Sequence, residues 1–488
     1  MKQGSNSTVF WRFVGFITLI VGIVISLPLI VFVFYPDEVH LAKFFYLPAL
    51  CYFALGVLLI ILTNRPDSGR FRPNQEAAIL VGAWLFAILL STAPYILSGS
   101  FNFTQALFEV TSGYTTTGLT LFESLDAAPR CFLFYRAMNI FIGGVGFLLV
   151  LSSVLNLRHA VSIYGAEGHK ERLIPNIFKT AKLILGIYLV FIIIFTLAYF
   201  ALGMRIFDSL IHSISSIATG GFSTYDDNIQ YFNTPAIEWV TILAMFLGSI
   251  SFTLHFAFFR GKWKTFFGHA ETKFTFLVIT AATVLLLIIP NSLNALPFLT
   301  QVRQALFNVV SAISTSGYVA GTEGYSASAA MLLFLMLMII GGQVGSTSSG
   351  IKQYRVVLIA KSLWWSLRDM FGNRRVVRVN KMTNYGEREA IDKNDSLNCA
   401  MYITLFFAIL ILGAFVFMCY GHNLRDSIFD FTSLLTNSGY SYGIINPSAP
   451  SGILWTSIVG MIFGRLEIFV ILLAIGSVIY GVKAGRRG

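Results

Sequence analysis

The chain has 488 residues, of which 56% are hydrophobic and only 12% charged, and its formal charge is +11. So apolar a composition excludes an ordinary soluble multidomain protein and makes lipid the solvent. The positive charge does not point to nucleic acid, because the basic residues sit in loops between apolar segments rather than on one face.

In chain order, segments 14–35, 44–62, 77–97, 183–203, 274–290 and 400–420 contain no Asp, Glu, Lys or Arg. Each approaches the roughly 20 apolar residues needed to cross about 30 Å of hydrocarbon. Gly-bearing stretches at 132–156, 237–259, 331–351 and 453–482 bring the candidate crossings to ten. The first stretch is too long for a signal-peptide core and lacks a small-residue cleavage site, so a retained helix is expected. Basic loops fall at Arg65–Arg72, Arg158–Lys182, Arg260–Lys273, Lys352–Lys393 and Lys483–Arg487; the alternating loops hold Asp37, Glu38, Glu123, Asp126, Asp226, Asp227 and Glu323. The positive-inside rule places the basic loops and both termini in the cytoplasm, which an even number of crossings allows. Cys51, Cys131, Cys399 and Cys419 lie in or beside apolar spans without metal-ligand spacing, so they are expected to be packing residues.

A repeat runs through these elements. Four times, a charge-poor span is followed by a segment too short to cross (104–114, 207–217, 302–313 and 425–436), then a small polar run with glycine, then a second span. The runs are TSGYTTTG at 111–118, SIATGGFST at 216–224, AISTSGYVAG at 312–321 and LLTNSGYSYG at 434–443, with Gly118, Gly220, Gly317 and Gly439 aligned at spacings of 102, 97 and 122 residues. Small residues also permit close helix packing. Four such runs at one place in four repeats instead imply a shared aqueous path, since irregular backbone at membrane depth must be buried in protein or line water. The divisions expected are an N-terminal helix pair (1–70) and four pore repeats at 71–160, 161–265, 266–393 and 394–488. The fold class is therefore an all-α polytopic membrane protein, with four outer helix, pore loop and inner helix units around one pore.

A cation leaves water only where oxygens replace its hydration shell, and rings of backbone carbonyls do this. Glycine supplies the backbone conformations that such a ring needs. The uncharged sets Thr116, Thr117 and Gly118; Ala218, Thr219 and Gly220; Thr315, Ser316 and Gly317; and Asn437, Ser438 and Gly439 are the candidate filter strands. The short helices before them would direct their partly negative C-terminal ends at a cation.

With the repeats laid out, the chain resembles the Trk, Ktr and plant high-affinity (HKT) potassium transporter superfamily, most closely the bacterial TrkH and TrkG membrane subunits. The resemblance covers nearly the whole chain and rests on TSGYTTTG, ATGGFST, IGGVG at 142–146, FLGSISFTLHF at 246–256, GSTSSGIK at 345–352 and GRLEIF at 464–469. The extra pair of spans before the first repeat is also TrkH-like. The resemblance implies a homodimer in the bacterial inner membrane, potassium as substrate, and a cytosolic ring of TrkA-type regulatory subunits that binds the nucleotide; this chain carries no cofactor of its own. It carries the four aligned glycines over as filter residues. In this superfamily serine at the first filter position accompanies sodium transport, so Gly118 favours potassium. Two runs depart from the family. NSGYS stands where an NxGPG-like sequence is common, and the loop after the third inner helix has fewer glycines than GGCSGSTGGGIK.

That loop is Gly341, Gly342, Gln343, Val344, Gly345, Ser346, Thr347, Ser348, Ser349 and Gly350, which interrupts an apolar helix and is the candidate gate. The resemblance implies the same. Arg465, inside the apolar stretch 453–482, is an intramembrane charge and hence a functional candidate. The resemblance implies that it reaches the pore below the filter, while Glu467 is an imperfect ion-pair partner for it, since residues two apart on a helix face different ways. Lys352 either anchors the loop or meets the ring, Arg368–Arg378 contacts acidic lipid or the ring or simply sets topology, and Arg136 is expected to snorkel to a membrane edge. Asp226 and Asp227 are either cation-attracting acids at an outer mouth or ordinary loop acids, and His212 and His255 are read as packed polar residues. The rival function is a sodium- or proton-coupled symporter, which is expected to show two inverted halves rather than four units. An enzyme is not expected, because no HExxH, GxSxG or paired-carboxylate spacing occurs.

Overall fold

The structure is a computed structural model and describes residues 4–63, 73–146, 177–290, 292–321, 328–371 and 380–485. Glu323, the loop Arg65–Arg72 and most of the basic stretches at 158–182 and 368–378 lie outside these residues.

Each of four units consists of an outer helix, a pore helix and an inner helix. The outer helices are Pro73–Ser91, Ile177–Ala201, Ala270–Ile288 and Lys393–Cys419; the pore helices are Phe103–Tyr114, Ile206–Ile217, Phe298–Ile313 and Leu424–Leu435. The inner helices begin at Arg130, Pro235, Ser328 and Ser451. Local chemistry sets several of these starts. Asn102 and Gln105 form a reciprocal capping box on the first pore helix, and Asn423 caps the fourth. Pro129 and Pro450 hold extended N-cap conformations before the first and fourth inner helices, and Pro235 opens the second, where a missing N–H costs nothing.

The units close on themselves. The first pore helix packs against the inner helices of units 1 and 4, the second against those of units 2 and 1, the third against 3 and 2, and the fourth against 4 and 3. The helix Ile468–Gly485 then packs on the first outer helix. Ahead of the repeats, Gly4–Ser26 and Lys43–Leu62 pair tightly: a Cβ at Gly56 would stand 2.7 Å from Leu19 Cγ. This pair is tied to unit 1 by Glu38, whose two carboxylate oxygens accept from the backbone N–H groups of Arg130 (2.8 Å) and Cys131 (3.0 Å), an anion at a helix N-terminus.

The inner spans are not the continuous crossings expected. Among the described residues six helices are long and apolar enough to cross, and two more qualify only as pairs bent by 103° at 249–251 and 104° at 466–467. The first inner helix ends at Val145 with Gly146 at φ +90°, and the third ends at Ile340 where the polar loop begins. All four inner helices therefore break near one depth. Only the third break is marked by a long glycine and serine run; at the fourth, Glu467 takes φ +61°, which no sequence rule for glycine or proline foretells. The basic loop also contains a hairpin, β1 (Lys381–Asn384) with β2 (Glu387–Ala390), closed by the left-handed pair Tyr385 and Gly386. Two left-handed central residues match the twist of such a hairpin.

Candidate functional site

The four pore helices end in one motif. The N–H of Thr116, Thr219, Thr315 and Asn437 bonds the carbonyl three residues back, and the next N–H (Thr117, Gly220, Ser316, Ser438) bonds the carbonyl five back, at 2.8–3.2 Å throughout. This is the Schellman arrangement, which requires a left-handed residue where the helix stops. Glycine usually occupies that place. Here Thr116 (φ +56°), Thr219 (+51°), Thr315 (+55°) and Asn437 (+52°) do. A left-handed β-branched residue costs about 1–3 kcal/mol, and the three threonines at equivalent positions mark strain that the surrounding structure must hold, while Asn437 adopts the conformation more readily.

Two residues later the chain is left-handed again, at Gly118 (φ +90°), Gly221 (+65°), Gly317 (+75°) and Gly439 (+80°). These glycines form a ring. A Cβ on Gly118 would lie 2.3 Å from the Gly220 carbonyl oxygen, on Gly221 2.1 Å from that of Ser316, on Gly317 2.1 Å from that of Ser438, and on Gly439 2.2 Å from that of Thr117. Each strand thus packs glycine against carbonyl with the next until the circle closes. The register expected in unit 2 moves by one residue: Thr219, Gly220 and Gly221 are the equivalents of Thr116, Thr117 and Gly118, while Ala218 is the last residue before the turn, like Thr115. All twelve expected residues lie together at this ring, nine of them buried and Gly118, Gly317 and Gly439 partly exposed. Gly439 shares the conformation of the other glycines, so the atypical NSGYS run builds the same strand as its neighbours.

Hydroxyl pairs brace three of the strands: Thr115 with Thr117, Ser314 with Ser316, and Thr436 with Ser438, each at 2.8 Å. Unit 2, with Ala218 and Gly220, has no such pair. Asn437 links strands by donating to Thr117 Oγ1 and to the Met461 carbonyl, both at 3.0 Å.

The polar loop 341–350 lies against the ring. Thr347 Oγ1 donates to the carbonyls of Ile217 (3.0 Å) and Gly248 (2.9 Å), Ser348 Oγ to that of Ser314 (2.7 Å), and the Ser349 N–H to Thr315 Oγ1 (3.0 Å). Thr219 Oγ1 in turn donates to Thr347 Oγ1 at 3.2 Å. The other end of the loop is anchored by side chains. Gln343 donates to Thr275 Oγ1 (3.1 Å) and Thr272 Oγ1 (3.3 Å) and accepts from the Ser251 N–H (3.2 Å), while Glu271 accepts from the Val344 N–H (2.9 Å). Gly341 (φ +67°), Gly345 (+77°) and Gly350 (+83°) supply the turns, and Gly342 has Ser348 and Ser249 too close to admit a Cβ. Ser346 Oγ closes back on the Gln343 carbonyl at 2.6 Å.

Arg465 reaches this loop from unit 4. It donates to the Thr347 carbonyl (2.6 Å), to that of Gly143, and to that of Gly144 (3.3 Å), bridging the loop to the end of the first inner helix. Glu467 does not serve it: its carboxylate is 2.7 Å from Arg355, whose guanidinium also stacks on Tyr402 at 3.9 Å. Lys352, left-handed at φ +77°, donates its ammonium to the Ser348 carbonyl and so belongs to the loop.

Two expectations change. Arg136 does not snorkel; it is buried, 2.8 Å from the buried carboxylate of Glu109, and lies 3.9 Å over the ring of Phe222 from unit 2. Asp226 spends both oxygens on unit 1, accepting from Ser124 Oγ (2.8 Å) and the Leu125 N–H (2.7 Å), so it joins two outer loops. His212 and His255 are buried and hydrogen-bonded, as read. Sequence reasoning missed Glu109, whose partner Arg136 lies 27 residues away, and Tyr385 in the hairpin, whose hydroxyl stands 3.4 Å from Ser251 Oγ beside the loop anchor.

Comparison with known proteins follows this geometry. Residues 47–478 match the TrkH family, described as cation transport protein. An uncharacterized cation transporter of Methanocaldococcus jannaschii is 30% identical over 472 residues, covering 96% of this chain and 94% of that protein. The Trk system potassium uptake protein TrkH of Escherichia coli is 30% identical over 435 residues, covering 84% and 86%. The crystal structure of the potassium transporter TrkH from Vibrio parahaemolyticus superposes with a TM-score of 0.84 at 25% identity, covering 96% and 98%.

Proposed function

This chain belongs to the TrkH family of cation transport proteins, multi-pass membrane transporters rather than enzymes, and on that premise we propose that it conducts potassium across the cytoplasmic membrane through the ring of four strands. The observation that carries the proposal is the closed glycine-to-carbonyl circle at Gly118, Gly221, Gly317 and Gly439. Backbone oxygens of these strands replace the hydration shell of the ion, and four pore helices ending at the ring add the negative ends of their dipoles. The related proteins named as potassium uptake proteins support the choice of ion. Four units closing around one axis support a channel-like path over coupled symport between two inverted halves.

The loop 341–350, held against the ring by Arg465, is the gate in this reading. Its hydrogen bonds are of a kind that can be exchanged, and moving it frees the space under the ring. Lys352 moves with it. Control comes from outside the chain: a homodimer, with both termini cytoplasmic, engages a TrkA-type ring that carries the nucleotide, and basic cytoplasmic segments lie beside acidic lipid. The experiment is uptake of rubidium, as a potassium tracer, and of sodium into liposomes holding the purified protein, with Gly118→Ser alongside. Rubidium uptake that exceeds sodium uptake, with the preference relaxed in the variant, is the expected result. Equal uptake of both ions by the unaltered protein refutes the selective ring.

A further inference from the structure

We propose that Glu109, His212, Asn308 and Asp430 form a ring of positioning residues that sets ion discrimination by fixing the strands as they leave the filter. The proposal rests on the filter reading and goes beyond it to four side chains that touch no ion.

The four residues occupy one position in the repeat, each seven residues before the left-handed residue that ends its pore helix: Thr116, Thr219, Thr315 and Asn437. All four are buried to 1% exposure or less. Each reaches over the filter to the segment beyond it. Glu109 accepts from Thr120 Oγ1 (2.9 Å) and the Leu121 N–H (2.9 Å). Asn308 accepts from the Ala320 N–H (3.2 Å) and donates to the Ala320 carbonyl (3.0 Å). Asp430 accepts from Ser441 Oγ (2.5 Å), the Tyr442 N–H (2.7 Å) and the Ile444 N–H (3.2 Å). His212 holds its Nδ1 2.8 Å from the Asp208 carbonyl, which can only accept, so Nδ1 carries the proton and Nε2 accepts from Ser223 Oγ at 3.1 Å. The same place is thus filled by a carboxylate, an imidazole, an amide and a second carboxylate, which perform one task with different atoms.

That task is to replace a missing ladder. A strand leaving a Schellman turn has no neighbouring strand to satisfy its N–H and C=O groups, and buried backbone groups must be satisfied. The staple meets such groups directly in units 1, 3 and 4, and in unit 2 through Ser223 Oγ, which accepts from the Tyr225 N–H at 3.1 Å; it closes a loop whose two fixed ends are the pore helix and the segment after the filter, so the strand between cannot breathe freely. Discrimination between two monovalent cations depends on where the carbonyls stand and how far they yield. The units are then tied sideways: Tyr440 donates to Ser311 Oγ (2.9 Å), Tyr318 to the Phe222 carbonyl (2.9 Å), and Arg136, fixed by Glu109, covers Phe222. Displacing one staple therefore displaces a neighbouring strand as well.

The test compares a disruptive and a conservative change at one staple. In full-length protein reconstituted in liposomes, Asp430→Leu removes every acceptor, whereas Asp430→Asn installs the amide that unit 3 already uses. The rubidium-to-sodium uptake ratio is expected to fall about fivefold in Asp430→Leu, the worth of one net hydrogen bond, and to stay within about twofold of the parent in Asp430→Asn. Asn308→Leu, which is near-isosteric and strands no charge, is expected to behave like Asp430→Leu, and the ratio is read on whichever of the two assembles by size-exclusion chromatography, with the milder Asp430→Ser in reserve. A parental ratio in these variants, even with reduced total uptake, overturns the proposal and leaves the four residues as ordinary packing. Failure of the filter reading is separate, because it shows in the unaltered protein as no preference for rubidium.

Discussion

The ring and the loop beneath it are both buried and both rich in small polar residues, but they spend their hydrogen bonds differently. In the ring, bonds stay mostly inside a unit: each strand is fixed by its own Schellman turn and its own pore-helix side chain, and four different sequences reach one backbone shape. In the loop, bonds within unit 3, such as Ser348 to Ser314, are joined by bonds between units, from Thr347 to Ile217 and Gly248 of unit 2 and from Arg465 in unit 4 to the Thr347 carbonyl. Locally closed bonds fix the shape of each strand, and the sideways ties of Asn437, Tyr318 and Tyr440 pass a displacement only to the next strand. Bonds between units make one that reports their relative position. On the function proposed above, the difference is what would separate a selective element from a movable one without any appeal to flexibility.

The largest effect should come from breaking the ring where it has no slack. Gly317→Ala forces a methyl group to within 2.1 Å of the Ser438 carbonyl oxygen and asks alanine for φ +75°. Selective rubidium uptake should fall by more than about a hundredfold, consistent with a steric cost above about 2.7 kcal/mol. Gly186→Ala, in an outer helix where a Cβ meets nothing within 4 Å, is the matched control and should leave uptake unchanged.

Next comes the pair that the ring buries. Glu109→Gln leaves Arg136 without its carboxylate in a site of 2% exposure, and stranding a buried charge costs about 3–5 kcal/mol. The unfolding midpoint of the variant should drop accordingly, and the double variant Glu109→Gln with Arg136→Met should recover most of the loss. Equal midpoints for the single and double variants would show that the loss does not come from a stranded Arg136 charge.

These side chains also mark how far the sequence could be read. The four short pore helices and their glycine runs were legible within a few residues, because small polar runs after an apolar half-span have few other uses. The register of unit 2 was not: two consecutive glycines, Gly220 and Gly221, offer no side chain to choose between them, and only the left-handed φ of Gly221 decides. Glu109 drew no reading and Arg136 was expected to snorkel, because a pair 27 residues apart leaves no local pattern. The staples were hidden for a chemical reason, since a carboxylate, an imidazole and an amide at one repeat position do not align as letters. The bends at 249–251 and 466–467 lack proline, and the hairpin was obscured by the charge of its loop.

A smaller effect distinguishes the loop from the ring. Arg465→Gln removes the guanidinium bridge between Thr347, Gly143 and Gly144, together with its positive charge. Without any regulatory partner, rubidium uptake should rise about tenfold while the rubidium-to-sodium ratio stays at the parental value. A changed ratio with unchanged uptake would place Arg465 in the selective element and erase the distinction drawn between the two layers.

The smallest effect concerns the link from the hairpin to the loop. Tyr385 stands at the hairpin tip, its ring 4.8 Å from that of His269, its hydroxyl 3.4 Å from Ser251 Oγ, and the Ser251 N–H donates to Gln343. A push on the hairpin therefore reaches the loop anchor through two bonds. The hydroxyl contact is long and weak, whereas the ring contact is apolar and survives removal of the oxygen. Tyr385→Phe should accordingly change partner-free uptake by about twofold or less, and Tyr385→Ala, which removes both, should change it more. If the phenylalanine variant alone matches the alanine variant, the hydroxyl is the strut and the signal enters the loop through Ser251. If neither differs from the parent, the hairpin is uncoupled from the loop, and the bonds that report subunit position are confined to the membrane.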